Sequence, residues 1–93
     1  MAQDRVIVIG AGMGGLAAAV DLAVAGLDVT VVERADAPGG KMRRQFVDGL
    51  PIDAGPTVFT MRDVFEGLFA DAGARLEDHV RLHGADVLAR HAW

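Results

Sequence analysis

Nine Lys and Arg against thirteen Asp and Glu give this 93-residue chain a formal net charge of −4, which argues against a nucleic-acid partner. The length allows one small domain at most. The absence of cysteine excludes disulfides, thiolate metal sites and a cysteine nucleophile. Met1 to Leu27 has the apolar run and small residues of a secretory leader. Asp4 sits in its would-be basic region, however, glycines break the run and Asp21 interrupts it. No apolar stretch reaches the ~20 residues that span a bilayer. The expectation is a cytoplasmic, soluble start of chain.

The first element is the branched run Val6-Ile7-Val8-Ile9, which reads as a strand buried on both faces. It stops at Gly10. A helix is predicted from about Met13 to Ala25, with Leu16, Val20 and Ala23 as its apolar stripe and Leu27 continuing it. Asp21 faces elsewhere, and Gly26 is the left-handed residue that ends the helix. Asp28 starts a second strand through Val29-Thr30-Val31-Val32, closed by Glu33. Strand, glycine turn, helix, strand and acid together form the dinucleotide fingerprint in its proper context.

Each residue has a physical task in that motif. Gly10 permits the tight turn, and Gly12 lets the backbone approach a pyrophosphate. Gly15, with Ala18 one turn on, lets the helix pack near the sheet. The helix N-terminus at Met13 and Gly14 offers free N–H groups and the positive end of its dipole to phosphates. Glu33 can accept hydrogen bonds from both hydroxyls of an adenosine ribose. It would repel a 2′-phosphate, an effect that Arg34 next door partly offsets.

Beyond Glu33, Pro38-Gly39-Gly40 is a turn signal followed by the basic residues Lys41, Arg43 and Arg44. Two readings stand: a solvated loop with a charged exit, or a glycine pair passing close to a bound cofactor with a basic residue near its phosphates. Met42 to Asp53 reads as a β-hairpin around Asp48-Gly49. Its Pro51 restricts the return strand to an edge or to its own first position. Asp53-Ala54-Gly55-Pro56-Thr57 is a tight loop.

Thr60, with Asp63 three residues on, predicts a capped helix from Met61 to about Ala72 ending at Gly73. Val64, Phe65, Leu68, Phe69 and Ala72 share one face, expected to be core. The sharper reading makes them a wall of a lipophilic substrate site. His79 and His83 lie four apart, a spacing that on a helix would suit a metal, but no third ligand has clear spacing, so no metal site is assigned. Val87 to Trp93 resembles a strand.

The fold class is therefore α/β. A doubly wound sheet needs five or six strands, and a βαβ unit takes ~30 residues. The chain is expected to be the N-terminal part of a Rossmann-like domain, incomplete, built from a βαβ unit plus a hairpin and a helix.

GAGMGGLAAA, then VVERADAPGGK, then IDAGPTVFT resemble the start of the bacterial-type carotenoid desaturases, the phytoene dehydrogenase family of flavoproteins. The likeness covers nearly all 93 residues. The first block is shared with many FAD and NAD proteins. The pair Gly39-Gly40 narrows the field to the flavoproteins that include amine oxidases, and Asp53 to Thr57 point to the carotenoid branch. The tail GADVLARHAW is similar to the hydroxycarotenoid (hydroxyneurosporene-type) 3,4-desaturases.

This resemblance implies FAD, its ADP half held by Gly10, Gly12, Gly15 and Glu33. It implies that Gly39, Gly40 and Lys41 line the cofactor's middle, where many relatives carry Arg in place of Lys41. Gly55, Pro56 and Thr57 would approach the flavin end. The implied reaction removes two hydrogens from a C–C single bond of a lipophilic carotenoid precursor. Residues 1–93 would be the N-terminal portion of the FAD-binding domain, with the substrate domain and all catalytic residues elsewhere. The whole enzyme would then be cytoplasmic and peripheral to the inner membrane. Other readings are an amine-oxidase-like or retinoid-saturating flavoprotein, or a non-catalytic nucleotide-binding fragment.

Overall fold

The computed structural model describes residues 3–93 and resolves them into two compact units, one ending at Thr57 and one over Val58–Trp93. In the first, strand β1 (Arg5–Ile9) runs into helix α1 (Met13–Val24) and then strand β2 (Asp28–Val32). The two strands pair in parallel with Arg5 opposite Asp28 and Ile9 opposite Val32. Arg5 and Asp28 also form an exposed ion pair at 3.7 Å. The result is the βαβ unit that the sequence predicts, with α1 packed on both strands.

Helix α1 ends through two backbone bonds. The Gly26 N–H donates to the Ala23 carbonyl and the Leu27 N–H to that of Leu22, with Gly26 at φ +91°. This is a Schellman termination, and Gly26 occupies the left-handed position expected of it. The buried stripe differs from expectation. Gly15, Ala19, Val20, Leu22 and Leu27 are half-buried, whereas Leu16, Ala18 and Ala23 are exposed. The reason lies at Gly15: a Cβ there would fall on the Gly10 carbonyl oxygen. Gly15 therefore fixes which side of α1 touches the strands, and Ala19 and Leu22 follow it at helical spacing.

Strand β1 is covered on one face, not both. Val6 and Val8 are half-buried, while Ile7 and Ile9 on the opposite face are 66% and 87% exposed. Successive strand residues point to opposite faces, and α1 covers only one of them.

Strands β3 (Arg44–Val47) and β4 (Leu50–Asp53) form an antiparallel hairpin with Val47 opposite Leu50. Asp48 and Gly49 both have positive φ, +50° and +79°, as a type I′ turn requires. Pro51 faces Phe46, one step from the turn's closing pair. That step is the non-hydrogen-bonded kind in an antiparallel ladder, so its missing N–H costs nothing there.

In the second unit, helix α2 (Arg62–Asp71) is followed by a short 3₁₀ turn at Leu76–Asp78. The predicted Thr60 cap is not formed. Met61 caps the helix instead, left-handed at φ +55°, with no side-chain bond to the terminus. A capping Thr needs an extended backbone at the cap, and the left-handed Met61 occupies that place. The far end matches expectation: Gly73 and Ala74 N–H donate to the Ala70 and Phe69 carbonyls, with Gly73 at φ +74°.

The α2 aromatics do not make a full core. Phe65, Leu68 and Phe69 are half-buried and Val64 and Ala72 exposed, around a single buried side chain, Leu76. Phe65 meets Phe59 at 4.6 Å between ring centroids, and Phe69 meets His79 at 5.3 Å. The predicted strand at Val87 to Trp93 is absent, and those residues carry no regular structure. A strand needs a partner for its ladder bonds, and none lies alongside among the described residues.

Candidate nucleotide-binding site

The site grows from the turn between β1 and α1. Gly10 has φ +101°, a conformation only glycine adopts cheaply, and its N–H donates to the Val32 carbonyl at 2.8 Å, extending the parallel ladder. Gly12 caps α1 in extended conformation, and the first intrahelical bond runs from Leu16 N–H to the Gly12 carbonyl. The amides of Met13, Gly14 and Gly15 therefore precede the helical ladder. No side chain caps this terminus, and its first turn carries no acid. A Cβ on Gly14 would meet nothing within 4 Å. Three unspent donors at the positive end of a twelve-residue helix whose first turn carries no acid suit a phosphate group.

Glu33 lies just past the tip of β2, half-buried. One carboxylate oxygen accepts the Ala11 N–H and the other the Ala35 N–H, each at 2.9 Å. These bonds, Ala35 first and Ala11 next, hold its carboxyl below the usual carboxylate range. The Arg34 amide and charge add to them. A carboxylate accepting two amides stays ionised and fixed in orientation. Beside it, Ile9, Gly10, Val32, Glu33 and Arg34 line an open groove of about 520 Å³. The groove lies outside the carboxyl ends of two parallel strands, where open α/β sheets bind ligands.

The second glycine motif comes to the same place. The Gly39 N–H donates to the Ala11 carbonyl at 2.8 Å. Gly40, at φ +59°, stands against Gly12. The third motif joins through Gly55, where a Cβ would overlap the Lys41 carbonyl oxygen, and through the Ala54 N–H, which donates to Arg43 at 2.8 Å. Gly10, Gly12, Met13, Gly14, Gly15, Glu33, Arg34, Gly39, Gly40, Lys41 and Gly55 thus form one connected neighbourhood. Pro56 and Thr57 follow in the same loop and are exposed, as is the Lys41 side chain. Both Gly39 and Gly40 touch the fingerprint loop by their backbones, while their own loop keeps a solvent-facing side, with Gly39 half-buried and Gly40 exposed.

Two partners escaped the sequence reading. Ala11, 3% exposed, uses both backbone groups to join Glu33 and Gly39, and Ala35 supplies the second amide to Glu33. A small residue between two fingerprint glycines was the one available signal. His79 and His83 share no helix, because the 3₁₀ turn ends at Asp78, and no group of three or more potential metal ligands occurs among the described residues.

The chain is similar to known proteins over most of its length. A hydroxyneurosporene desaturase of Rubrivivax gelatinosus is 62% identical over 89 residues, 96% of this chain and 17% of that protein. One from Rhodobacter capsulatus is 60% identical over 91 residues, 98% of this chain and 18% of its own length. A 4,4'-diapolycopene oxygenase of a Methylomonas species is 49% identical over 80 residues, 86% of this chain and 16% of its own. The chain therefore spans less than a fifth of these relatives, and the two hydroxyneurosporene desaturases bear out the resemblance to carotenoid desaturases. The model of the flavin containing amine oxidoreductases matches residues 13–92, from the first turn of α1 almost to the last residue, and the chain belongs to that family.

Proposed function

We propose that these residues are the cofactor-binding head of an FAD-dependent desaturase that introduces C=C bonds into a carotenoid precursor. The observation that carries this reading is the ionised Glu33 carboxylate tied to the turn between Gly10 and Gly12, beside an uncapped helix N-terminus. The family is flavin-containing, so the dinucleotide is FAD. FAD supplies a hydride acceptor that a quinone or oxygen can reoxidise.

This chain's residues would bind and orient the cofactor. Met13, Gly14 and Gly15 donate N–H groups to the pyrophosphate, and Gly12 leaves room for it. Glu33 accepts from the adenosine ribose through the lone pairs that its two amide partners leave free. Arg34 flanks the groove. Gly39, Gly40 and Lys41 line the cofactor's middle, and Gly55, Pro56 and Thr57 stand toward its flavin end. The βαβ unit, hairpin and helix would belong to a Rossmann-like domain, of which residues 1–93 are the N-terminal portion, with substrate handled by a further domain. No residue is assigned to catalysis.

The relatives' names support a carotenoid as substrate. So apolar a substrate would place the whole enzyme at a membrane surface on its cytoplasmic side. Among the described residues no helix is long and apolar enough to cross a membrane. The test is to express the full-length enzyme that carries this head with hydroxyneurosporene and follow the absorption spectrum. A red shift matching added conjugation, dependent on bound flavin, supports the proposal. A flavin-loaded protein that leaves the polyene unchanged but oxidises amines would replace it.

A further inference from the structure

Ala11 is one of two buried apolar residues among those described, at 3% exposure. Its N–H is taken by a carboxylate 22 residues away, and its carbonyl by the Gly39 amide at 2.8 Å. Beside it the backbones of Gly12 and Gly40 meet without side chains between them. A Cβ on Gly40 would lie 3.0 Å from the Gly12 Cα, and one on Gly39 would lie 2.7 Å from the Met42 carbonyl oxygen. Both glycines have positive φ, +125° and +59°. Gly55 closes the other side, tight against the Lys41 backbone. Apart from the Glu33 carboxylate on the Ala11 N–H, these contacts are all backbone to backbone.

We propose that Gly39 and Gly40 are positioning residues: docked on Ala11 and Gly12, their turn holds the fingerprint loop in its nucleotide-binding shape before any nucleotide arrives. This inference rests on the nucleotide-binding reading above and adds a task to the lining role implied for the same glycines. A turn that only lined the cofactor would leave the fingerprint loop unchanged when altered. A turn that positions the loop transmits its own distortion to Ala11 and from there to Glu33. Binding of the adenosine half then depends on Gly40, even for a ligand that stops short of the cofactor's middle.

The test compares the wild-type full chain with Gly40→Ala and with Gly67→Ala, a control on α2 whose added Cβ meets nothing within 4 Å. Amide exchange at Ala11 is read residue by residue without cofactor, and AMP affinity by calorimetry. The expected result is that Gly40→Ala speeds Ala11 exchange and weakens AMP binding, each at least tenfold, while Gly67→Ala changes neither. Slow Ala11 exchange and unchanged AMP affinity in Gly40→Ala, with FAD alone lost, would overturn the positioning role and leave the lining role. Should Gly40→Ala fail to fold, the cofactor-free wild type decides: a Gly39 amide exchanging at the rate of an unfolded peptide overturns the proposal, and a protected one supports it. A wild-type chain that binds neither AMP nor FAD would remove the nucleotide reading itself, a failure distinct from the others.

Discussion

The unit ending at Thr57 and the unit over Val58–Trp93 are held by different means. In the first, distant segments are joined mostly backbone to backbone, Gly10 to Val32, Gly39 to Ala11 and Ala54 to Arg43, with the Glu33 carboxylate accepting from the Ala11 N–H. Glycines make this possible by letting chains approach to distances that a Cβ forbids. In the second, side chains do the work, through one buried leucine, three aromatic contacts and exposed ion pairs of Arg62 with Glu66 and Arg75 with Glu77. Such exposed pairs contribute little, because water and salt screen them. Backbone stitching specifies one geometry. A small side-chain cluster specifies mainly that certain faces lie together.

Single substitutions should break the two units in different ways. The largest effect is expected at Gly15→Ala, whose Cβ would coincide with the Gly10 carbonyl oxygen. Neither backbone can yield without lifting α1 off β1, so the variant should lose ~3 kcal/mol or more. Thermal unfolding of the full chain measures this, and an unchanged Tm would show that α1 does not pack as described. Next comes Leu76→Ala. Removing a buried leucine costs about 2–4 kcal/mol, and the loss should stay within Val58–Trp93. Faster amide exchange in α2 with unchanged exchange at Ala11 would sharpen the contrast, whereas matching changes in both units would dissolve it.

The smallest effect concerns protons. Glu33 has its carboxyl held below the ordinary range by the Ala35 and Ala11 amides. Its contribution is therefore complete above that range and disappears as pH falls through the lowered value. Flavin retention should be flat with pH down to the ordinary carboxylate range and then decline. Glu33→Gln places a donor against one of the two amides, so it should weaken flavin binding about tenfold, the cost of one unmet hydrogen bond. It should also abolish this acid limb. An identical acid limb in Glu33→Gln would assign the proton to another group.

The same contrast explains what was legible in the sequence. Both strands of the βαβ unit, helix α1, the hairpin turn at Asp48-Gly49 and the glycine stops at Gly26 and Gly73 rest on local signals, and the structure contains them all. Helix α1 is apolar almost all round, so the stripe read through Leu16, Val20 and Ala23 was only partly right, and a nonlocal contact at Gly15 decided which face was buried. Thr60 has the chemistry of a cap, but the backbone at Met61 took its place. Val87 to Trp93 has the composition of a strand without a neighbour to pair with. In the site, the fingerprint glycines and Glu33 were readable one by one. Their joining to Gly39, Gly40 and Gly55 was not, because spacing along a chain carries no record of which loops meet.

The proposal that the turn from Gly10 to Gly15 holds the phosphates of FAD meets its sharpest test in Gly12→Ala. Gly12 has extended backbone, and its added Cβ would meet only the Gly40 Cα, at 4.0 Å. The fold should tolerate that methyl, and a pyrophosphate should not. The measurement is flavin content per folded protein, with circular dichroism as the check on folding. The expected variant is folded and has lost its flavin. A folded variant retaining wild-type flavin would contradict the proposal.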